Sequence, residues 1–191
     1  KFLPGHLLEF ENGKLTIERY WTPTFNPDNS KTLNEWADEI HSTVQEVFKD
    51  VKEDDETAES FLSGGVDSSY VLAMSDVKVT DSCGYDDERF DESGLAKKTA
   101  DILGRENNRC LITPEDYFNI VPYVMYNMEQ PLGDASAIAF AIACKATAQH
   151  TKICYSGEGA DEFFGGYNIY HEPVSLKGYQ RLPKLLRRLA G

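Results

Sequence analysis

Residues 60–69 constrain the fold of this chain more than any other segment, because they join an apolar strand to a glycine turn and a helix. They read Ser-Phe-Leu-Ser-Gly-Gly-Val-Asp-Ser-Ser. Gly64 and Gly65 have no Cβ, so the backbone can turn sharply and bring its N–H groups close to a ligand. A helix that begins near Asp67 adds the positive end of its dipole. We therefore expect a strand, a turn and a helix, with an anion-binding site at the turn.

The side chains of this turn predict that the anion is a pyrophosphate group accompanied by a metal ion. The hydroxyls of Ser63, Ser68 and Ser69 can donate hydrogen bonds to phosphate oxygens. Asp67 is itself an anion, and beside phosphates it fits best as a Mg²⁺ ligand. Two simpler interpretations compete with this one: an ordinary Gly-Ser turn, and an aspartate that only caps the helix.

The turn differs from the phosphate loop of kinases and GTPases, whose pattern carries a lysine after its second glycine. Here Val66 and Asp67 follow the glycines. A Ser-Gly-Gly-x-Asp-Ser turn instead resembles that of the ATP pyrophosphatases, which cleave ATP between the α and β phosphates. The resemblance implies that pyrophosphate is the leaving group.

A second apolar strand followed by small and acidic residues occurs at 153–167, which reads Ile-Cys-Tyr-Ser-Gly-Glu-Gly-Ala-Asp-Glu-Phe-Phe-Gly-Gly-Tyr. Glu158 stands between two glycines, where backbone can approach a ligand closely. Asp161 and Glu162 fall in the first turn of the next helix, where capping alone would explain them. In a parallel sheet, however, both loops would meet at the carboxyl ends of the strands. Asp67 and Asp161 are then expected to share a metal ion.

The segments at 62–69 and 156–167 closely resemble the asparagine synthetase family, and shorter segments at 83–85, 113–117 and 130–138 are also similar to it. The resemblance implies an α/β fold of the adenine nucleotide alpha hydrolase-like ATP pyrophosphatase type, in which helices flank a parallel sheet. It also implies roles for individual residues. Adenosine would lie against Leu62, Cys83, Ser156 and Gly157, and pyrophosphate against Ser63, Gly64, Gly65, Asp67, Ser68 and Ser69. Asp67 and Asp161 would bind Mg²⁺, and Glu158 would act as acid and base in the attack of ammonia.

The reaction implied by the resemblance is the ATP-dependent amidation of aspartate through β-aspartyl-AMP, with release of AMP and pyrophosphate. Its nitrogen would be ammonia that an upstream glutaminase domain releases from glutamine, and the family allows a homodimer. One alternative is a relative that closes a lactam ring; that branch tends to carry tyrosine at the position of Glu158, so Glu158 disfavours it. The other alternative is a nucleotide-binding fragment without turnover.

The sequence departs from the family in ways that predict an incomplete protein. Glu129-Gln130-Pro131 stands where the family commonly has Asp-Glu-Pro, and the family's pyrophosphate-contacting lysine would lie beyond the last residue. We expect residues 1–25 to be the terminal hairpin of a glutaminase domain and 26–191 to be an incomplete synthetase domain. The chain itself is then expected to show no glutamine-dependent activity, and weak or absent activity with ammonia.

Composition is consistent with an enzyme core in the cytoplasm. A chain of 191 residues with 41% hydrophobic content can bury one substantial core. Mean hydropathy of −0.45 disfavours a membrane protein, and the start of the sequence lacks the layout of a signal peptide. The cysteines Cys83, Cys110, Cys144 and Cys154 show no metal-like pairing. A net charge of −13 disfavours nucleic acid as a partner.

Hydrophobic periodicity predicts alternating strands and helices, and hence a parallel sheet. An Asn-Gly turn at 12–13 predicts a hairpin over 5–20, and Thr32 is expected to cap a helix whose buried face carries Leu33, Trp36, Ile40, Val44 and Val47. The predicted strands are 57–62, 78–85, 108–112 and 152–155. The predicted helices are 67–75, 91–103, 114–127 and 136–149.

Four other features are expected to carry less function. The acidic run at 53–56 is interpreted as a solvated loop, as is most of 86–89, which could also face the substrate. His41 and His150 are expected at surface or helix-end positions without ligand-like neighbours. The basic segment at 184–188 is expected to form an amphipathic packing helix rather than a membrane anchor.

Overall fold

The computed structural model describes residues 2–51, 57–129, 133–171, 176–183 and 186–187. The chain divides into two compact units, Lys1–Thr43 and Val44–Gly191. The acidic run at 53–56, Gln130-Pro131 and most of the basic segment at 184–188 lie outside the described residues. Within the described part of the chain, no helix combines the length and the apolar character needed to span a bilayer.

The first unit contains an antiparallel hairpin. Its strands are β1 (His6–Glu11) and β2 (Lys14–Arg19), in a register that pairs Glu11 with Lys14. Asn12 and Gly13 have φ values of 50° and 76°, as a two-residue turn between twisted strands requires. The hairpin predicted from the Asn-Gly turn is therefore confirmed.

Helix α1 (Leu33–Val51) begins where the sequence predicts. The face that it buries differs at two positions from the face predicted from the sequence. The Thr32 Oγ1 accepts a hydrogen bond from the Glu35 N–H at 3.3 Å, and the Glu35 carboxylate accepts one from the Thr32 N–H at 2.7 Å, which forms a capping box. Leu33 and Val47 are exposed. The partly buried side chains are Trp36, Ile40, Val44 and Phe48, one every fourth residue.

A four-stranded parallel sheet in the order β5-β4-β3-β6 forms the second unit. Its strands are β3 (Glu59–Phe61), β4 (Val79–Tyr85), β5 (Glu106–Ile112) and β6 (Cys154–Tyr155). Its helices are α2 (Val66–Met74), α3 (Ser93–Ile102), α4 (Pro114–Asn127), α5 (Ser136–Thr147), α6 (Ala160–Phe164) and α7 (Lys177–Gln180), with a 3₁₀ turn at Asn168–His171. The predicted α/β class, with helices flanking a parallel sheet, is confirmed. The predicted strands at 57–62 and 152–155 are shorter than expected, and β5 begins two residues earlier than expected.

Alternation along β3 and β4 separates two faces of the sheet. On one face Leu62, which follows β3, packs with Leu72 of α2 and with Ala96 and Ala100 of α3 in a fully buried cluster. The other face of the sheet carries Glu59, Phe61, Asp81 and Cys83, and contacts α5: Phe61 meets Phe140 edge-on, and the Asp81 carboxylate accepts a hydrogen bond from Thr147. The apolar core thus lies under α2 and α3, whereas the α5 face contains buried charge.

Candidate active site

The turn between β3 and α2 is built on a glycine that no other residue could replace without strain. Gly64 has φ of +83°, and a Cβ there would lie 2.8 Å from the backbone nitrogen of Ala96. The Ser68 Oγ accepts a hydrogen bond from the Ser63 N–H at 3.2 Å and lies 3.0 Å from the Ser63 Oγ. The Ser63 Oγ in turn accepts one from the Gly65 N–H at 3.2 Å. The predicted phosphate-binding hydroxyls of Ser63 and Ser68 therefore also hold the turn in shape.

Helix α2 presents free N–H groups at this turn. Gly65 is its N-cap and provides no side-chain cap. The Ser69 N–H donates to the Gly65 carbonyl at 3.1 Å, so the three N–H groups before it have no acceptor within the helix. Asp67 is the second residue of the helix and is exposed. The interpretation of Asp67 as an N-cap is therefore wrong, and its carboxylate is available to a ligand.

The loop after β6 lies directly against the start of α2. A Cβ on Gly157 would lie 2.8 Å from the Ser68 backbone nitrogen and 2.9 Å from the Asp67 carbonyl carbon. Gly159 has φ of +93°, and the Glu158 N–H between these two glycines donates to the Ser156 Oγ at 3.1 Å. The two glycine loops predicted from the sequence thus meet at the carboxyl ends of β3 and β6.

Helix α6 carries Asp161 in its first turn, and other acidic side chains lie near it. Gly166, which follows the helix, leaves room for this carboxylate, because a Cβ there would overlap it. The pKa of the Tyr167 hydroxyl is raised, mainly by the nearby Glu162 carboxylate and also by Asp161 and Glu158. This end of the cleft therefore carries a negative field that favours a cation.

An open cleft of about 760 Å³ lies between the two loops and α5. Nine of the residues singled out from the sequence line it: Leu62, Ser63, Asp67, Ser68, Cys83, Ser156, Gly157, Glu158 and Asp161. Gly64, Gly65 and Ser69 belong to the same turn but do not line the cleft. Gly64 has the positive φ of the turn, and Gly65 is the N-cap of α2.

One wall of the cleft is apolar and unreactive. Phe61 and Phe140 meet edge-on with ring centroids 5.2 Å apart, and Ala139 and Ala143 of α5 continue the wall. Burial raises the pKa of the Cys83 thiol to about 12, with smaller contributions from Cys110 and Asp81. The thiol therefore stays protonated at neutral pH and suits packing against a flat apolar group better than nucleophilic attack.

Several cleft residues were not predicted from the sequence, notably the acids Asp81, Glu92 and Asp134 and the aromatic residues Phe90, Phe140 and Tyr167. Asp134 lies in the segment 130–138 that resembles the family, so the sequence contained a signal for it. Asp81 interrupts a buried strand, which is itself unusual for a carboxylate. Phe90 lies in the loop after β4, and Tyr167 lies beyond α6 in the segment after β6. Both strands were predicted from the sequence.

His150 has neighbours that the sequence did not predict. It lies in the turn after α5 with its side chain 52% exposed, which agrees with the expected helix-end position. Its Nδ1 is, however, 3.9 Å from the Glu59 Oε2, and Asp81 belongs to the same cluster. The expectation that His150 lacks ligand-like neighbours is therefore wrong.

We expect Gly157→Ala to lower the free energy of unfolding by about 1–2 kcal/mol, because its Cβ meets backbone atoms of α2 that cannot rotate away. Urea denaturation measures the change. Gly94→Ala is the matched control, since nothing lies within 4 Å of its Cβ position, and this variant should be as stable as the unmodified chain or slightly more stable. Equal stability of the two variants would contradict the close packing of the loops.

Comparison with known proteins places these features in one family. The family described as asparagine synthase matches residues 39–191. Asparagine synthetase [glutamine-hydrolyzing] 1 of Bacillus subtilis is 37% identical over 186 residues, which cover 93% of this chain and 29% of that protein. Amidase chyE of Penicillium rubens is 27% identical, over 89% of this chain and 29% of its own length. The chain thus spans less than a third of these relatives.

Likeness to solved structures is weaker. The NMN synthetase of Francisella tularensis aligns with a TM-score of 0.45 and 14% identity, over 72% of this chain and 59% of that one. Such a distant likeness bears on neither substrate nor mechanism.

Proposed function

Because the chain belongs to the asparagine synthase family, we propose that its cleft binds ATP with Mg²⁺ and forms part of an enzyme that activates a carboxylate for amide formation. The observation that carries the proposal is the contact between the two loops, in which Gly157 lies against the backbone of Ser68. This contact puts the free N–H groups of α2 and the carboxylates of the second loop on one cleft. Phosphates and a metal ion need that combination of donors.

The charge of the cleft supports the proposal that a metal ion accompanies the nucleotide. Among the described residues, every charged side chain that lines it is an acid: Asp67, Asp81, Glu92, Asp134, Glu158 and Asp161. A polyphosphate would be repelled by these groups if it entered alone. The oxygen ligands of Asp67 and Asp161 suit Mg²⁺, which prefers one or two carboxylates together with phosphate oxygens. When bound, the ion would neutralise the charge that develops on the departing pyrophosphate.

The remaining groups fit the parts of the nucleotide. The free N–H groups at the start of α2 would offer the positive end of the helix to the phosphates. The apolar wall, with Leu62 and Cys83, offers a surface for adenine, and Ser156 and Gly157 lie beside it. The loop hydroxyls need only rotate to donate to phosphate oxygens. These residues therefore position the α-phosphorus for attack by a carboxylate oxygen.

We take aspartate as the carboxylate substrate, on the strength of the family. A side-chain carboxylate oxygen attacks the α-phosphorus and pyrophosphate leaves, which gives an acyl-adenylate. Ammonia then attacks the acyl carbon, AMP leaves, and Glu158 accepts the proton released by the nitrogen. Glu158 lines the cleft on a loop that two glycines and the Ser156 hydroxyl shape. In this scheme the products are asparagine, AMP and pyrophosphate, and the ammonia comes from glutamine hydrolysed elsewhere in the longer protein.

The metal assignment is tested by calorimetry of ATP binding with and without Mg²⁺. We expect Asp67→Asn to weaken Mg·ATP binding about tenfold, because it removes one ligand charge, and to leave AMP binding nearly unchanged. Asp101→Asn is the matched control, since it removes another exposed acid, in α3, that does not line the cleft. If Asp67→Asn keeps the full Mg²⁺ dependence of ATP binding, Asp67 is not a metal ligand.

A further inference from the structure

A second group of metal-ligating side chains lies beneath α5, outside the set proposed for Mg²⁺. Glu59 opens β3, Asp81 lies in β4 on the same face of the sheet, and His150 follows the end of α5. One ligand atom from each of the three residues can be chosen so that all lie within 4.8 Å of one another. Glu59 and Asp81 are each 7% exposed. Two carboxylates are therefore buried side by side, with an imidazole above them.

One oxygen of the Glu59 carboxylate lacks a hydrogen-bond partner in this cluster. Its Oε2 is inaccessible to solvent and accepts no hydrogen bond from any residue that the structure describes. The His150 Nδ1 is 3.9 Å from this oxygen, which is beyond hydrogen-bond distance. A buried carboxylate oxygen without a donor is costly unless something positive satisfies it. The geometry thus leaves a place for a positive ligand between Glu59, Asp81 and His150.

Asp81, by contrast, is held in place. One of its oxygens accepts a hydrogen bond from the Thr147 hydroxyl at 2.9 Å, and the other accepts one from the Asn108 amide at 3.3 Å. Such outer hydrogen bonds orient the carboxylates that bind metal ions and leave lone pairs available for coordination. His150 is half-exposed and can move toward the carboxylates, so an ion can enter from that side.

We propose that Glu59, Asp81 and His150 bind a divalent transition-metal ion of the Zn²⁺ class. One imidazole and two carboxylates are ligands that Zn²⁺ accepts, at about 2.0–2.2 Å, whereas Mg²⁺ prefers oxygen ligands only. The ion would tie β3 and β4 to the end of α5 below the floor of the cleft. The proposal does not depend on the proposed function, because none of its ligands belongs to the pair Asp67 and Asp161.

Zn²⁺ titration of the chelator-treated chain tests the site by calorimetry and by the midpoint of thermal unfolding. We expect one ion to bind and to raise the midpoint, and millimolar Mg²⁺ not to reproduce the rise. His150→Ala should weaken Zn²⁺ binding about 10-fold or more, and Glu59→Gln should do the same. His150 is at the surface, so its variant answers the question even if Glu59→Gln changes folding.

Two variants serve as controls. His6→Ala removes a histidine of the hairpin, and Asp67→Asn removes the proposed Mg²⁺ ligand; both should bind Zn²⁺ as the unmodified chain does. Weaker Mg·ATP binding in Asp67→Asn with Zn²⁺ binding intact separates the two proposals. Equal Zn²⁺ affinity of His150→Ala and the unmodified chain would overturn the site and would point to the free cysteines as the ligands.

Discussion

Glu158→Gln should lower the rate of ammonia-dependent amide formation about 100-fold or more, with Mg·ATP binding unchanged. Glutamine keeps the size of the side chain and its place on the loop but cannot accept a proton from the attacking nitrogen. The loop itself should not move, because Gly157, Gly159 and the bond from the Glu158 N–H to Ser156 shape it through the backbone. The loss should therefore fall on the step after activation of the carboxylate.

Two assays on one protein isolate this step. Both assays need a protein as long as the relatives that contains this sequence, because the chain spans only 29% of the Bacillus subtilis relative. Exchange of labelled pyrophosphate into ATP reports activation of the carboxylate and should persist in Glu158→Gln, whereas amide formation should not. Glu115→Gln is the matched control, since Glu115 is an exposed acid of α4 that does not line the cleft. Undiminished amide formation in Glu158→Gln would remove Glu158 from the mechanism.

Glu59→Gln should raise the free energy of unfolding at pH 8 by about 1–3 kcal/mol in metal-free protein and change it little near pH 4. Burial raises the pKa of Glu59 in the folded chain from 4.5 to about 7, and a side-chain hydrogen bond with Asp81 and the nearby Asp81 and Glu106 charges contribute to the rise. Between about pH 4.5 and pH 7, the Glu59 carboxyl group has lost its proton in the unfolded chain but keeps it in the folded chain. Stability of the unmodified chain therefore falls as the pH rises from about 4.5 to above 7, and the glutamine variant lacks this fall.

Denaturation in urea at several pH values, with a chelator present, measures the difference. Asp81, Glu106, His150 and Cys154 surround Glu59 and are the same in both proteins. The comparison therefore isolates the removal of the Glu59 carboxyl group. Glu115→Gln, an exposed acid of α4, should show no pH-dependent gain. A constant difference between Glu59→Gln and the unmodified chain from pH 4 to pH 8 would contradict the raised pKa.

The order of strands and helices, and the two loops, could be predicted from the sequence because each depends on local patterns. Apolar runs that end in glycine mark where β3 and β6 give way to their helices, and Asn12-Gly13 fixes the hairpin turn. The parallel arrangement follows from the alternation of strands with helices. That arrangement alone brings the loops after β3 and β6 to one edge, where Asp67 and Asp161 both line the cleft.

The cluster at Glu59 could not be predicted, because it depends on register and on which face of the sheet α5 covers. Glu59 and Asp81 come together because β3 pairs with β4 in the register that sets Phe61 opposite Asp81. On the other side of β3, Glu59 pairs with Cys154 of β6. His150 joins them through the length of α5, which ends at Thr147 rather than at 149 as predicted. In α1, Leu33 and Val47 fit the helical period as well as Phe48 does, so the pattern alone does not show which of them faces inward.

The strand order also determines when the cleft can form during synthesis. β3 is the first strand of its sheet to leave the ribosome, yet one of its two neighbours, β6, is the last. Until β6 arrives, β3 is an edge strand with unpaired backbone groups that can recruit another chain. Closing so long a loop is slow, because its entropy is lost before the contact is gained. Chaperones that bind nascent chains would therefore act on β3 before residues 154–155 have been synthesised.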